Sequence, residues 1–172
     1  MKCTLYLKLV VKINFMFGQL ETHEIENLIS HQLIARLGCY ADGKMYVVPI
    51  SYAYDGKYIY AFSMEGMKLE LMRKNPEVCL QLDNLGQMDN WQSVILWGKF
   101  EELKNKDERN EALLKLVSRI LPAITSELVH ISPHYPFPPD QLENISGVVY
   151  RIRITEKTGR FEKAIMEDHF AF

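Results

Sequence analysis

The chain lacks the residues that usually staple or metallate a small protein. Its three cysteines, Cys3, Cys39 and Cys79, lie far apart in 172 residues and form no Cys-x-x-Cys pair. A disulfide framework and a zinc knuckle are therefore excluded as organising devices, and a reducing, cytoplasmic setting is expected. Histidine is scarce, at five residues. His130 and His134 have helical ligand spacing, but Pro133 separates them, Pro136 follows, and no further ligands are evident, so no metal site is expected. There is no excess of charge of one sign: 20 basic against 22 acidic side chains leave a formal charge of −2. A broad basic face for nucleic acid is thereby disfavoured. Long uncharged apolar runs are also missing. Met1–Phe17 is apolar but is broken by Lys2, Lys8 and Lys12, which argues against a secretory signal, and no other segment approaches a membrane span. No Gly-x-Gly-x-x-Gly follows a strand and no parallel β-α-β repeat is visible, which removes the dinucleotide fold. No Ser-His-Asp or Cys-His arrangement can be argued from spacing.

What is present is an ordinary globular composition, 48% apolar and 24% charged, in a length suited to one domain. We read residues 1–16 as an N-terminal extension, a strand or a loose arm, and 17–172 as the domain. Ile25, Leu28 and Ile29 predict a short helix over Glu21–His31, with Thr22 as its cap. Strand-like runs follow at Leu33–Tyr40, Met45–Tyr54 and Lys57–Ser63. Asp42-Gly43 and Asp55-Gly56 join them, and such turns predict a three-stranded meander. A helix over Glu65–Lys74 ends at Asn75-Pro76. Strands are expected at Val78–Asp83 and Gln92–Leu103, the second with a bulge or close approach at Gly98. An amphipathic helix covers Lys106–Leu121, with Leu113, Leu114, Val117 and Leu121 on one side. Pro122–Asn144 holds five of the seven prolines and reads as an irregular connection. Gly147–Thr155 alternates as a strand. The fold class is mainly β (α+β): a small antiparallel barrel of about six strands with peripheral helices.

Two features point to chemistry. Pro49 cannot donate to a ladder, so its strand either forms an edge or leaves backbone free to face a ligand. In Phe62-Ser63-Met64-Glu65-Gly66-Met67-Lys68 a strand hands over to a helix, with Ser63 at the expected N-cap and Lys68 in about the first turn. Lysine at a helix N-terminus is mildly unfavourable by itself. It is either a solvated surface residue or one of several donors converging on an anion such as phosphate. Trp91 and Trp97 flank the strand at Gln92 and serve either stacking or packing. Cys39 and Cys79 sit in apolar runs and read as inert packing residues.

Longer blocks carry a resemblance. Tyr46-Val47-Val48-Pro49-Ile50-Ser51-Tyr52-Ala53-Tyr54-Asp55-Gly56, Glu65-Gly66-Met67-Lys68, Arg73-Lys74-Asn75-Pro76 and Asn90-Trp91-Gln92-Ser93-Val94-Ile95 occur in order, with a closing Ile154-Thr155-Glu156-Lys157-Thr158-Gly159-Arg160. This pattern resembles the pyridoxamine 5′-phosphate oxidase-related family, and within it the nitroimidazole-reductase-like FMN-binding branch. The resemblance implies an antiparallel split β-barrel of about six strands with peripheral helices, whose homodimer holds FMN at the subunit interface. Val47, Val48, Pro49, Ile50 and Ser51 would line the isoalloxazine ring with backbone groups. Phe62, Ser63, Met67 and Lys68 would meet the ribityl phosphate, and Ser93 with Gln92 would come from the partner subunit. Relatives often carry histidine where this chain has Phe62, so no catalytic proton donor is named.

The expected function is that of an FMN-dependent oxidoreductase, passing electrons from NAD(P)H to a small-molecule acceptor. The alternative is a non-catalytic flavin carrier or sensor. Neither a nucleic acid nor a membrane is an expected partner.

Overall fold

The computed structural model describes residues 13–87, 89–120 and 146–166. Among these residues eight strands and three helices follow one another as β1 (Ile13–Gln19), α1 (Thr22–His31), β2 (Ile34–Ala41), β3 (Lys44–Ser51), β4 (Ala53–Tyr54), β5 (Tyr58–Ser63), α2 (Met67–Lys74), β6 (Glu77–Gln87), β7 (Asn90–Glu102), α3 (Lys106–Ile120) and β8 (Val148–Met166). Every pairing is antiparallel, in the order β3-β2-β6-β7-β8-β5-β4, with β1 on the far half of β8. The fold is the antiparallel split barrel that the resemblance implies, built on the strands that the alternating runs predict.

The expected meander is corrected. Asp42 and Gly43 both have positive φ, 52° and 75°, the geometry of a tight two-residue hairpin, and they join β2 to β3 as expected. The chain then breaks at Tyr52 instead of continuing. β3 is one edge of the sheet, whereas β4 joins β5 at the other end of the strand order. Tyr52 is fully buried and its hydroxyl donates to Ile29 O at 2.7 Å, which pins the crossover beneath α1. The Arg119 guanidinium lies 4.8 Å from the same ring and donates to Ile29 O and Gln32 O, so the end of α3 secures the corner too. Pro49 lies on the β3 edge, where its missing N–H costs no ladder bond.

Other expectations shift by a few residues. The start of α1 is organised by Glu24, whose carboxylate accepts from Glu21 N–H at 2.8 Å; Thr22 is already helical. Strands β6 and β7 extend past the predicted facing ends, β6 to Gln87 and β7 from Asn90. Strand β8 is 19 residues long and spans both β5 and β1. Its second half shows no apolar alternation, for two reasons. Lys157 is ion-paired to Glu26, and a Cβ at Gly159 would lie 2.8 Å from Leu20 Cβ and 2.9 Å from Ile25 Cγ1, so the start of α1 needs that bare backbone. Gly98 is the close approach expected: a Cβ there would sit 2.6 Å from Arg153 O, where the β7–β8 register shifts.

The core lies inside the barrel, built by Leu37, Ile50, Ile59, Leu69, Met72, Leu80, Leu82, Leu96, Tyr150 and Ile152. A second cluster forms where α3 lays Ala112, Leu113, Leu116 and Val117 on Tyr60, Leu103 and Val149. Leu114, expected on that face, is exposed. His130, His134, Leu121 and the proline-rich connection lie outside the described residues. Among the described residues no helix is long and apolar enough to cross a membrane.

Candidate functional site

Strand parity decides which predicted residues share a face. In β5, Ile59 and Ala61 belong to the barrel core, whereas Tyr60 and Phe62 belong to the cluster under α3. The Phe62 ring is thus turned away from the interior and fills the space left by Gly147, whose Cβ would lie 2.5 Å from it. The Ser63 hydroxyl donates to Met64 O at 2.8 Å and does not cap α2. The cap position belongs to Gly66, with Leu69 N–H and Glu70 N–H bonding back to its carbonyl. Met67 and Lys68 therefore hold first-turn N–H groups with no acceptor inside the helix. A Cβ on Gly66 would meet nothing within 4 Å, so this backbone faces open space.

Lys68 is half-buried at the second position of α2. Its ammonium lies 6.0 Å from the centre of the Tyr150 ring, and it has neither an ion pair nor a hydrogen bond among the described residues. Burial pulls its pKa below the ordinary lysine value, against a smaller opposing effect of Cys39. Neither acidic neighbour offers relief: Glu70 is exposed on α2 and makes no ion pair with Lys68, and Glu65 is taken. Glu65 is gripped by Arg73 through two bonds of 2.8 Å, and Arg73 also reaches Glu102 at 2.8 Å. The corner is a desolvated cation beside spare N–H groups and open space. An anion of phosphate type satisfies all three.

The Tyr150 hydroxyl is the second unusual group. The residue is fully buried, and its oxygen has no hydrogen-bond partner among the described residues. Cys39, also buried, donates its thiol to Tyr46 O at 3.7 Å, and burial raises its pKa.

The other predicted residues lie along the β3 edge and on the outside of the sheet. Val47, Pro49 and Ser51 are in register with Gly38, Arg36 and Ile34, on the outer face. Val48 and Ile50 turn inward, and Ile50 is buried. Backbone from all five can still be read from the edge. On the same outer face Ser93 is in register with Asp83. Arg36 donates to Asp83 at 2.7 Å and to Gln81 at 3.0 Å, and Gln81 in turn donates to Ser93 at 3.3 Å. Apolar side chains surround this polar strip: Met45 is 74% exposed, Val47 62% and Trp97 38%. Ser93 sits three strands in from the edge, about 14 Å at ordinary strand spacing. Lys68, beside the core residues Cys39 and Tyr150, and Ser93, on the outer face, lie on opposite sides of the sheet. Gln92 opens onto two adjoining grooves of about 290 and 320 Å³ that share Asn84 with it. Trp91 is committed to Glu162, to which its indole N–H donates at 2.8 Å.

The family model of pyridoxamine 5′-phosphate oxidase matches residues 21–161. The chain belongs to that family. Within the pyridoxamine 5′-phosphate oxidase fold, it resembles a protein from Mesorhizobium loti named as FAD-binding. The two are 32% identical, the match covers 85% of this chain and 98% of that one, and the TM-score is 0.66. A Bacteroides thetaiotaomicron protein named for 5-nitroimidazole antibiotic resistance shares the fold, at 18% identity, 96% and 99% coverage and a TM-score of 0.65. An uncharacterized protein of Rhizobium meliloti, RA0666, is 40% identical over 80 residues, 46% of this chain and 53% of its own length. The match thus spans about half of that curated relative.

Sequence reasoning missed Arg36, Gln81, Asp83 and Tyr150. None belongs to a motif: their importance comes from register and burial, which only the fold reveals.

Proposed function

We propose that this protein binds FMN as a homodimer and serves as a flavin-dependent oxidoreductase, taking electrons from NAD(P)H for a small-molecule acceptor. The observation that carries this reading is the unpaired, half-buried ammonium of Lys68 at the Gly66-capped start of α2. Lys68 and the N–H groups of Met67 and Lys68 would hold the phosphate. Backbone of Val47, Val48, Pro49, Ile50 and Ser51, on an edge strand, would bond the polar rim of the ring system, while Ser63 would close the corner. The flavin supplies the two-electron chemistry when bound. This chain's residues fix its position and exclude water from its tail.

The homodimer is supported by the exposed apolar outer face around Val47 and Trp97, and by Ser93 lying away from the phosphate corner. Ser93 and Gln92 would then meet the cofactor of the second copy. The relative from Mesorhizobium loti is named for FAD, whose ribityl group likewise carries a phosphate. Mass analysis of the flavin released on denaturation separates FMN from FAD.

One observation favours the alternative carrier or sensor. Among the predicted contacts Val47–Ser51, Phe62, Ser63 and Met67, no side chain titrates near neutrality, and Phe62 points under α3. Anaerobic addition of NADH or NADPH to the loaded protein decides between the two. Bleaching on the turnover timescale establishes the oxidoreductase, and persistent colour establishes the carrier. A purified protein that takes up no flavin overturns both.

A further inference from the structure

Tyr150 is built at a cost that packing does not explain. Its ring has good reason to be inside the barrel: it packs 5.4 Å from the Phe100 ring, centroid to centroid, and is opposite Ala61 on β5. Its hydroxyl has none, because that oxygen is buried and has no partner among the described residues. A buried hydroxyl without a partner loses its hydration and gains nothing in return. Phenylalanine would fill the same volume without that cost. Such a group in an otherwise apolar core points to a ligand that satisfies it. The Lys68 ammonium, the nearby cation, is also without a counter-ion and lies 6.0 Å from this same ring. Two polar groups, each desolvated and unpaired, are thus carried by neighbouring residues, the ammonium of one 6.0 Å from the ring of the other.

We propose that the Tyr150 hydroxyl is a further donor of the phosphate site, serving the same anion as the Lys68 ammonium, directly or across one bound water. The division of labour is physical. Lys68 and the start of α2 approach the anion from the helix side, and Tyr150 supplies the donor from the barrel floor. Burial raises the Tyr150 pKa, with a smaller contribution from Cys39 in the same direction, so the phenol stays protonated and can only donate to an anion. The Tyr150 ring also gives the Lys68 ammonium an apolar face to rest on, which keeps it pointed at the corner when no anion is bound. The inference deepens the FMN reading and rests on it for the identity of the ligand, but the chemistry it names is phosphate recognition.

Tyr150→Phe tests it, because the ring and the fold are retained. FMN and riboflavin affinities are measured by fluorescence quenching, alongside the melting temperature of the flavin-free protein. The expected result is an FMN affinity lower by roughly five- to ten-fold, an unchanged riboflavin affinity, and a flavin-free variant that melts higher than the parent. Equal losses for FMN and riboflavin, or an unchanged FMN affinity, overturn the proposal. If the parent protein takes up no flavin, the flavin reading fails separately, and inorganic phosphate is the remaining probe. Phosphate that raises the melting temperature of the parent more than that of Tyr150→Phe supports the anion site, and equal or absent shifts overturn it.

Discussion

Replacing Lys68 by methionine separates the two energies that meet at this residue. Methionine keeps most of the apolar stem and removes the charge. In the flavin-free protein the ammonium is half-buried without a counter-ion, so its loss removes a desolvation cost and the variant is expected to melt at or above the parent. In the flavin-bound protein the same substitution removes a charge-assisted contact to phosphate. Hydrogen bonds to charged groups contribute about 1.5–3 kcal/mol, so FMN affinity should fall roughly ten- to 150-fold. Riboflavin has no phosphate, and its affinity should not change. The sign of the pH dependence follows from linkage. Burial sets the folded-state pKa of Lys68 below its ordinary 10.5, so between those two values the unfolded chain holds more protons. Stability of the flavin-free protein therefore gains from Lys68 as pH rises through that window. FMN affinity moves the other way, falling as the amine deprotonates. Thermal melts of the flavin-free proteins read the first slope, and titration of FMN and riboflavin into parent and variant from pH 7 to 10 reads the second. The reasoning is refuted if riboflavin affinity drops as far as that of FMN, or if the alkaline loss of FMN affinity persists in Lys68→Met.

Three further outcomes are expected. The Asp55 carboxyl is pushed up by partial burial, but the Tyr58 N–H, the Tyr60 hydroxyl, Lys115 and the Lys57 N–H outweigh this and hold it at about 2 against an ordinary 3.8. Its contribution is thus present above pH 4 and lost as pH falls from about 4 through about 2. After discounting for solvent screening, Asp55→Asn should cost about 1 kcal/mol at pH 7 and almost nothing near pH 2, and thermal melts at both pH values check it. Gly98→Ala places a Cβ 2.6 Å from Arg153 O and 2.7 Å from Ile152 Cγ2; the β7–β8 ladder should lose about 2 kcal/mol, or roughly 4–8 °C in melting temperature. Trp97→Glu puts a charge on the exposed apolar face. Sedimentation should show a folded monomer that retains less flavin, and a dimer that keeps its flavin would contradict the proposed interface.

Much of the fold is legible in the sequence because it is dictated by local rules. Asp42-Gly43 takes the positive backbone angles that its side chains permit, and Pro49 goes to an edge because it has no proton to give. Gly98 marks the place where another backbone comes too close for a side chain. What was not legible depends on distant partners. The break at Tyr52, which sends β4 to the far edge, is fixed by a hydroxyl bond to Ile29 and by Arg119. The second half of β8 looks polar because Lys157 is answered by Glu26 and Gly159 by Leu20 and Ile25, all from the other end of the chain. A pattern rule that scores apolar alternation cannot see a lysine neutralised 131 positions away.

The candidate site divides along the same line. Lys68 is legible because lysine near a helix start is locally unfavourable and asks for an explanation, which its acidic neighbours do not provide, since Arg73 has taken Glu65 and Glu70 stays exposed without pairing to it. Tyr150 is invisible because an aromatic residue in an alternating strand needs no explanation until its hydroxyl is found without a partner. The run Val47–Ser51 is only half interpretable as side chains, since parity sends Val48 and Ile50 inward and Val47, Pro49 and Ser51 outward. Its common property is an edge backbone, which a ligand can read whichever way each side chain points. Ser93 belongs to a different surface, tied through Gln81 to Arg36 and Asp83 on the outer face. A sequence motif lists these residues together, but the strand register separates them into a phosphate corner and an outer polar strip. If one ligand touches both, the polar strip must come from a second copy, whose apolar outer face then has something to bury.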